Sequence, residues 1–169
     1  GNGPLEKELV DLIGELDAAM VIYDCLPNMG SLSTEEVKKR TAYGVSAIRA
    51  KSDLPILITD HIGYRNDEMN IHTKESADRL NRASREVYDS LKATGIEKLF
   101  HLHQDSIHFP EDGCVDYVHP NDLGMQAYAD AYEKMIRRIL HMPVGEWSTM
   151  QPVSQRREPG IYEWKKRHE

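Results

Sequence analysis

The sequence has little of the features that mark several large classes of protein. Its 169 residues include only two cysteines, too few for a disulfide framework. No apolar run approaches the roughly 20 residues that a membrane-spanning helix needs. Lysine and arginine number 21 against 28 aspartate and glutamate residues, so the formal net charge is −7. This balance argues against a nucleic-acid partner, because binding to the phosphate backbone needs clustered positive charge.

The start of the chain also lacks an initiator methionine and a signal-peptide pattern. The first residues are Gly1-Asn2-Gly3-Pro4, and we expect further residues to precede them in a longer protein. The signal that would fix the compartment is lost with that upstream part. Our expectation is a bacterial protein of the periplasm or the secreted fraction, with the compartment itself undetermined.

Hydrophobic residues make up 40% and charged residues 29% of the chain, proportions typical of a folded globular domain. Apolar residues recur with helical periodicity in four stretches, at about 4–17, 34–50, 75–93 and 122–140. Short apolar runs between these stretches predict strands at 19–23, 55–60 and 99–102.

The alternation of helices and strands predicts one α/β domain over residues 1–140, with a parallel sheet covered by helices. Residues 141–169 are predicted to form an extended tail. Ligand sites in such sheets form where the strands end at their carboxyl termini. That rule selects the polar segments 24–30, 60–74 and 103–121.

The clearest chemical signal is the segment Asp116–Gly124, with the pattern D-x-x-H-P-N-D-x-G. Asp116 can turn back and accept a hydrogen bond from the Nδ1–H of His119. That bond would fix the tautomer of the imidazole and leave Nε2 as a base. The alternative is an ordinary loop aspartate bonded to a loop histidine, and the spacing alone does not decide between the two.

Asn28 follows the first predicted strand in the sequence Leu26-Pro27-Asn28. An amide at a strand end can donate its Nδ2–H into a cleft, as an oxyanion donor does. A simple Pro-Asn turn is the competing interpretation. The glycines of Gly1-Asn2-Gly3 would let a backbone N–H approach a ligand at the start of the first helix. A plain loop or a cloning remnant would explain them equally well.

These three blocks together resemble the SGNH hydrolases. The resemblance is closest to the GDSL-like branch, whose sequences contain G-F-S-G-N-G, D-C-L-P-N-M and D-x-x-H-P-N-D-x-G. The matching segments here are Gly1-Asn2-Gly3, Asp24–Met29 and Asp116–Gly124. They occur in the family's order along about residues 1–140.

The resemblance implies a role for each matching residue in an acyl-enzyme mechanism. His119 would be the general base, Asp116 the carboxylate that orients it, and the Gly1 N–H and Asn28 Nδ2–H would bind the oxyanion. Leu-Pro-Asn stands where much of the superfamily has Gly-x-Asn-Asp. The block with the nucleophilic serine is absent. The sequence Gln104-Asp105-Ser106 does not replace it, because it lacks the glycine and lies just before the histidine motif.

The resemblance also implies a three-layer, flavodoxin-like SGNH hydrolase fold. Its parallel sheet would have five strands in the order 2-1-3-4-5, with the first two missing from this chain. The strand at 19–23 would then be an exposed apolar edge, which invites aggregation. We therefore expect an upstream segment or a partner chain to cover that edge, and we expect the fragment alone to be inactive.

A cluster of histidines raises the question of a metal site. Its members are His101, His103 and His108, with Asp105 among them. Their spacing matches no closed zinc pattern, so we expect no metal and no cofactor. Tyr64 and Arg65 are candidates for a substrate rim, with a solvated loop as the alternative. Cys25 and Cys114 are expected to be ordinary thiols.

The resulting hypothesis is a serine esterase that cleaves carboxylic esters, among them acetyl esters of carbohydrates. Its partner would be a small-molecule or carbohydrate ester, and its serine would lie upstream of this chain. One alternative is a binding or structural fragment that has lost the nucleophile. Another is a metal-dependent hydrolase that uses His119 with the histidine cluster.

Overall fold

The computed structural model describes residues 3–66 and 70–142. Three parallel strands form one sheet in the order β1-β2-β3, namely β1 (Val21–Tyr23), β2 (Ile56–Thr59) and β3 (Leu99–Leu102). In the register of the sheet, Ile56 pairs with Val21 on one side and with Leu99 on the other. The four helices are α1 (Lys7–Ile13), α2 (Thr34–Lys51), α3 (Ile71–Ala93) and α4 (Asp122–Ile139). The predicted α/β class with a parallel sheet is confirmed.

The two faces of the sheet carry separate hydrophobic cores. Ile56 and Ile58 pack with buried residues of α1, α2 and α3, whereas Leu57 packs with buried residues of α4. Successive strand residues point to opposite faces, so the fully buried β2 can contribute to both cores. The arrangement is a three-layer sandwich of helices, sheet and helix.

Two helix starts are capped by polar side chains. The side chain of Ser33 accepts a hydrogen bond from the backbone N–H of Glu36 (3.2 Å) at the start of α2. The side chain of Asn121 accepts from the backbone N–H groups of Leu123 and Gly124 at the start of α4. Each cap satisfies backbone donors that the first turn of a helix leaves unpaired.

The first helix differs from its prediction. The expected helix at 4–17 is only Lys7–Ile13. Before its start, Leu5 adopts a positive φ of 54°, which interrupts helical geometry. Three leucines of the predicted stretch are largely exposed. Leu9, Leu12 and Leu16 are 47%, 56% and 58% exposed. Periodicity identified an apolar face but could not identify what covers it.

The third helix begins at Ile71, whereas the sequence placed residues up to 74 in a loop. Its cap is Asn70, whose side chain accepts from the backbone N–H of His72 (3.1 Å). The first strand is shorter than the predicted 19–23. The proposed domain boundary at residue 140 stays a prediction, because 143–169 lie outside the described residues.

Strand β1 lies at one edge of the sheet, and within residues 3–66 and 70–142 no other strand pairs with its outer side. None of the helices in that part of the chain combines the length and apolar character that crossing a membrane requires.

A fully buried carboxylate follows β2 on the face covered by α3. Asp60 is 0% exposed, and its carboxylate forms an ion pair with Arg85 of α3. The backbone N–H of Gln104 donates to the same oxygen (3.2 Å), and His101 Nε2 lies 2.9 Å from the other oxygen. Burial alone would raise the pKa of Asp60, but His101 and Arg85 together hold it below its ordinary value of 3.8.

Replacing Arg85 with glutamine is expected to lower the free energy of unfolding of the full-length protein at pH 7 by about 2–3 kcal/mol. A fully buried pair would cost about 3–5 kcal/mol. We expect a smaller loss of stability for Arg85→Gln because the Arg85 side chain is 37% exposed. Asp60 has a lowered pKa in the folded state, so it stabilises the fold above pH 3.8 and loses that effect as the pH falls through the folded pKa. The difference in free energy of unfolding between the wild type and Arg85→Gln, measured by urea unfolding, should therefore become smaller in acid.

Lys38→Gln is the matched control, because Lys38 of α2 forms an exposed ion pair (2.5 Å) with Glu86 of α3, the helix that carries Arg85. Loss of an exposed pair costs less than about 1 kcal/mol. Equal losses in the two variants would contradict the role assigned to Arg85.

Candidate active site

An open cleft of about 540 Å³ lies at the carboxyl end of the sheet, on the face covered by α4. It is bounded by residues that follow β1 and β2, by the loop before α4 and by α4 itself. Asn28 and His119 both line it, although they are far apart in the chain. The sequence placed one at the end of the first strand and the other before the last helix, and the fold brings them to one cavity.

The carboxylate of Asp116 holds His119 through two hydrogen bonds and accepts a third from the backbone of Val118. Asp116 Oδ2 lies 2.8 Å from Nδ1 of His119. Asp116 Oδ1 accepts from the backbone N–H groups of His119 (2.7 Å) and Val118 (2.9 Å). The backbone N–H of His119 is the main cause that lowers the pKa of Asp116 to about 2, followed by the imidazole and Val118. Asp116 is therefore ionised at neutral pH, and its bond to Nδ1 leaves Nε2 available for proton transfer.

Backbone pairing fixes the two ends of the loop that carries this pair. Cys114 and Pro120 form an antiparallel bridge, and the N–H of Val115 donates to the carbonyl of His119 (2.9 Å). The N–H of Asn121 donates to the carbonyl of Gly113 (2.9 Å). The loop therefore has the geometry of a small hairpin that presents Asp116 and His119 at its tip.

Gly124 allows α4 to pack directly against this loop. A Cβ at Gly124 would lie 2.2 Å from the carbonyl oxygen of Gly113 and 2.5 Å from Cζ of Phe109. No side chain fits such a contact without displacement of backbone. The glycine of the D-x-x-H-P-N-D-x-G pattern is thus required by close packing.

Asn28 lies in a short 3-10 turn, Leu26–Met29, directly after β1. Leu26 and Met29 are buried and anchor the turn, while Asn28 is exposed to the cleft. Gly3 lies beside the amide, since a Cβ on it would be 3.7 Å from Asn28 Nδ2. Its φ of +152° also favours glycine. Gly3 and Asn28 are therefore neighbours, whereas Gly1 and Asn2 lie outside the described residues.

The family model of GDSL-like lipases and acylhydrolases matches residues 1–137. The chain belongs to the GDSL-like lipase/acylhydrolase family. No curated protein matches it in sequence.

Two solved structures resemble the fold of this family member. One is described as a GDSL-like lipase from Bacteroides ovatus ATCC 8483, with a TM-score of 0.75 and 31% identity, over 83% of this chain and 41% of that one. The other is the salicylyl-acyltransferase SsfX3 from a tetracycline biosynthetic pathway, with a TM-score of 0.69 and 16% identity, over 85% and 44%. The chain thus spans less than half the length of either structure.

The predicted rim residues lie close to the site of this GDSL-like chain. The backbone N–H of Arg65 donates to the carbonyl of Tyr117, and its guanidinium lies over the ring of Phe109. The ring of Tyr64 contacts His61, which lines the cleft. Neither Tyr64 nor Arg65 is itself among the described lining residues, and their role at the rim stays a prediction.

A pair that the sequence analysis missed lies in the same cleft. The hydroxyl of Tyr132 on α4 donates to Asp24 Oδ2 (2.8 Å) and lies 3.3 Å from Thr59 Oγ1. Burial raises the pKa of Asp24, although the residue as a whole is exposed. The position of Asp24 after a strand was the available signal, but nothing in the sequence indicated its distant partner.

The histidine cluster has different partners from those considered in the sequence. Ligand atoms of Asp60, His101 and His103 lie within 4.8 Å of one another, so these residues, and not Asp105, are the candidate cation ligands. Arg85 already neutralises Asp60 there, and a bound metal would place a second cation against the guanidinium. His108 lines a separate groove along α4.

The two cysteines have the character of ordinary thiols. Burial raises the pKa of Cys25 to about 11, and Cys25 packs against the core shared by α2 and α3. Burial also raises the pKa of Cys114. Both thiols are thus poorer nucleophiles than an exposed cysteine.

Gly124→Ala is expected to lower the free energy of unfolding by about 1–3 kcal/mol, as overpacking does. The new methyl group would collide with the Gly113 carbonyl and shift the loop that presents His119. Urea unfolding of the full-length protein measures the loss. Gly30→Ala is the control, because Gly30 has a φ of −56° and the nearest atom to its Cβ would be 3.9 Å away. If Gly124→Ala were as mild as this control, the close-packing argument would fail.

Proposed function

We propose that this chain supplies the general base, its orienting carboxylate and a side-chain oxyanion donor of a serine esterase. His119 is the base, Asp116 orients it and Asn28 donates to the oxyanion. The observation that carries the proposal is the cleft shared by Asn28 and His119, with the imidazole already bonded to Asp116 through Nδ1. Family membership supports acyl chemistry in general.

The nucleophile is a serine outside this chain. No serine is among the described residues that line the cleft. This chain covers less than half of each matching solved structure, which leaves room for a further block. The same upstream segment would pair with the open edge of β1. A partner chain that covers this edge is the alternative, and in either case the fragment by itself would be inactive.

The reaction forms and then cleaves an acyl-enzyme. The serine oxygen attacks the ester carbonyl while His119 Nε2 takes the hydroxyl proton. The negative charge on the carbonyl oxygen is stabilised by Asn28 Nδ2–H, with the backbone N–H groups of Gly1 and the serine as further donors. The C–O bond to the alcohol then breaks, and His119 returns the proton to the departing oxygen. Water repeats these steps, releases the acid and restores the serine.

Asp116 contributes by orientation and charge. It stays ionised because its pKa is about 2, and it stabilises the imidazolium that forms when His119 takes the proton. The substrates are small esters, including acetyl esters of carbohydrates. A binding fragment without catalysis is the competing hypothesis, and it predicts a folded full-length protein that no serine-directed probe labels.

His119→Ala in the full-length protein is expected to lower kcat on a simple acetyl ester by about 10⁴-fold or more. Labelling of the serine by a fluorophosphonate probe should also be slower in His119→Ala than in the wild type, because the serine loses its general base. His72→Ala is the control, since His72 is an exposed histidine of α3. Full activity of His119→Ala would refute the assignment, and an unlabelled, folded wild type would favour the binding fragment.

Asn28→Ala is expected to lower kcat by about a hundredfold or more, which corresponds to about 3 kcal/mol of transition-state stabilisation. KM for the same ester should change little, because the oxyanion forms only as the reaction proceeds. Steady-state kinetics separate the two constants. A rise in KM at constant kcat would indicate that Asn28 binds the ground state instead.

A further inference from the structure

Asp24 is a carboxylate in the cleft that the proposed mechanism does not use. Tyr132 donates its only hydroxyl proton to Asp24 Oδ2, and that hydroxyl can accept a hydrogen bond from Thr59. Asp24 Oδ1 has no hydrogen-bond donor among residues 3–66 and 70–142 (the bonds found there reach Oδ2 alone). The cleft is therefore lined by a fixed carboxylate with an acceptor to spare.

Holding a charge at this position is unfavourable for the fold alone. Burial raises the pKa of Asp24, so its surroundings disfavour the ionised form, and one donor compensates only in part. An asparagine has nearly the same shape and would avoid that cost. A costly polar group in a cleft is more easily explained by a ligand than by packing.

The rest of the cleft restricts what that ligand can be. The rings of Tyr128 and Tyr132 stack at 5.9 Å and line one wall with the exposed Met125. No lysine or arginine is among the described residues that line the cleft. Apolar walls beside a carboxylate fit a neutral molecule with both C–H surface and a hydrogen-bond donor, and they repel an anion.

The position of Asp24 relative to His119 indicates which part of the ester is involved. His119 returns a proton to the oxygen of the departing alcohol, so the alcohol part of the ester must lie next to the imidazole. Asp24 and Tyr132 line the same cleft as His119, and Tyr132 belongs to α4, the helix that begins just after His119. The alcohol part of a bound ester therefore enters the cleft that Asp24 lines.

We propose that Asp24 is a specificity-determining residue, whose carboxylate accepts a hydrogen bond from a free hydroxyl on the alcohol part of the ester. The preferred substrates are then neutral esters of alcohols that carry further hydroxyl groups. This inference rests on the proposed esterase function. It adds to that function a residue and a substrate class that the mechanism alone does not require.

The test compares glycerol monoacetate with propyl acetate, two acetyl esters that differ in the hydroxyl groups of the alcohol. In the full-length wild type, kcat/KM for glycerol monoacetate should exceed that for propyl acetate by about tenfold, the effect of one hydrogen bond to a charged acceptor. Asp24→Asn should reduce this ratio several-fold. Asp89→Asn, on the outer surface of α3, should leave the ratio as it is.

The outcomes separate this inference from the function on which it rests. A folded wild type that neither hydrolyses the two esters nor reacts with a fluorophosphonate contradicts the proposed esterase, and the inference with it. An active, labelled wild type with a ratio near one overturns the inference alone, as does an Asp24→Asn protein with an unchanged ratio. If Asp24→Asn does not fold, Tyr132→Phe is the second variant, because it removes the hydrogen bond that holds Asp24. A ratio of kcat/KM values equal to that of the wild type would then also contradict the inference.

Discussion

The carbonyl of Gly113 and the backbone of Gly124 approach so closely that a Cβ would lie 2.2 Å from the oxygen. This contact fixes α4 against the loop that carries Asp116 and His119. An exposed aspartate–histidine pair contributes little by itself, because solvent screens it and two side chains must be ordered. The geometry of the pair must therefore come from the backbone. One Asp116 oxygen accepts hydrogen bonds from backbone N–H groups of the loop, and the other bonds to the imidazole of His119. The backbone of the loop therefore fixes the orientation of the ring.

The two faces of the sheet differ in how polar groups are paired at the carboxyl ends of the strands. On the face covered by α3, Asp60 is closed in by Arg85 and His101, and the polar groups satisfy one another. On the face covered by α4, Asp24 and His119 border an open cleft. Both faces receive polar side chains from the ends of parallel strands. In the part of the chain that the structure describes, the second face places an acceptor and an imidazole at an open cleft, as a ligand site requires.

What the sequence could predict depended on how far apart the interacting residues are. Asp116 and His119 belong to one short loop, so local spacing was sufficient to propose their hydrogen bond. The bond between Tyr132 and Asp24 joins residues 108 apart, and the pairing of Asp60 with Arg85 joins α3 to a strand end. Such contacts are set by topology and packing, which a single sequence does not contain. The leucine face of α1 was misjudged for a related reason, since periodicity does not reveal which surface meets it.

Two aspartates of the candidate site show how environment assigns a role to the same side chain. Asp116 is solvated and accepts from two backbone N–H groups, which lowers its pKa to about 2 and keeps it charged beside the imidazole. Asp24 has one tyrosine donor among the described residues, and burial of its carboxyl group raises its pKa. A carboxylate that must stabilise a transient imidazolium needs the first environment, because protonation would abolish its effect. A carboxylate that must bind a hydroxyl benefits from the second, because partial exclusion of water strengthens the hydrogen bond that a ligand makes. The difference between the roles proposed for Asp116 and Asp24 therefore follows from their donors: two backbone N–H groups bind Asp116, whereas among the described residues Asp24 has a tyrosine hydroxyl alone.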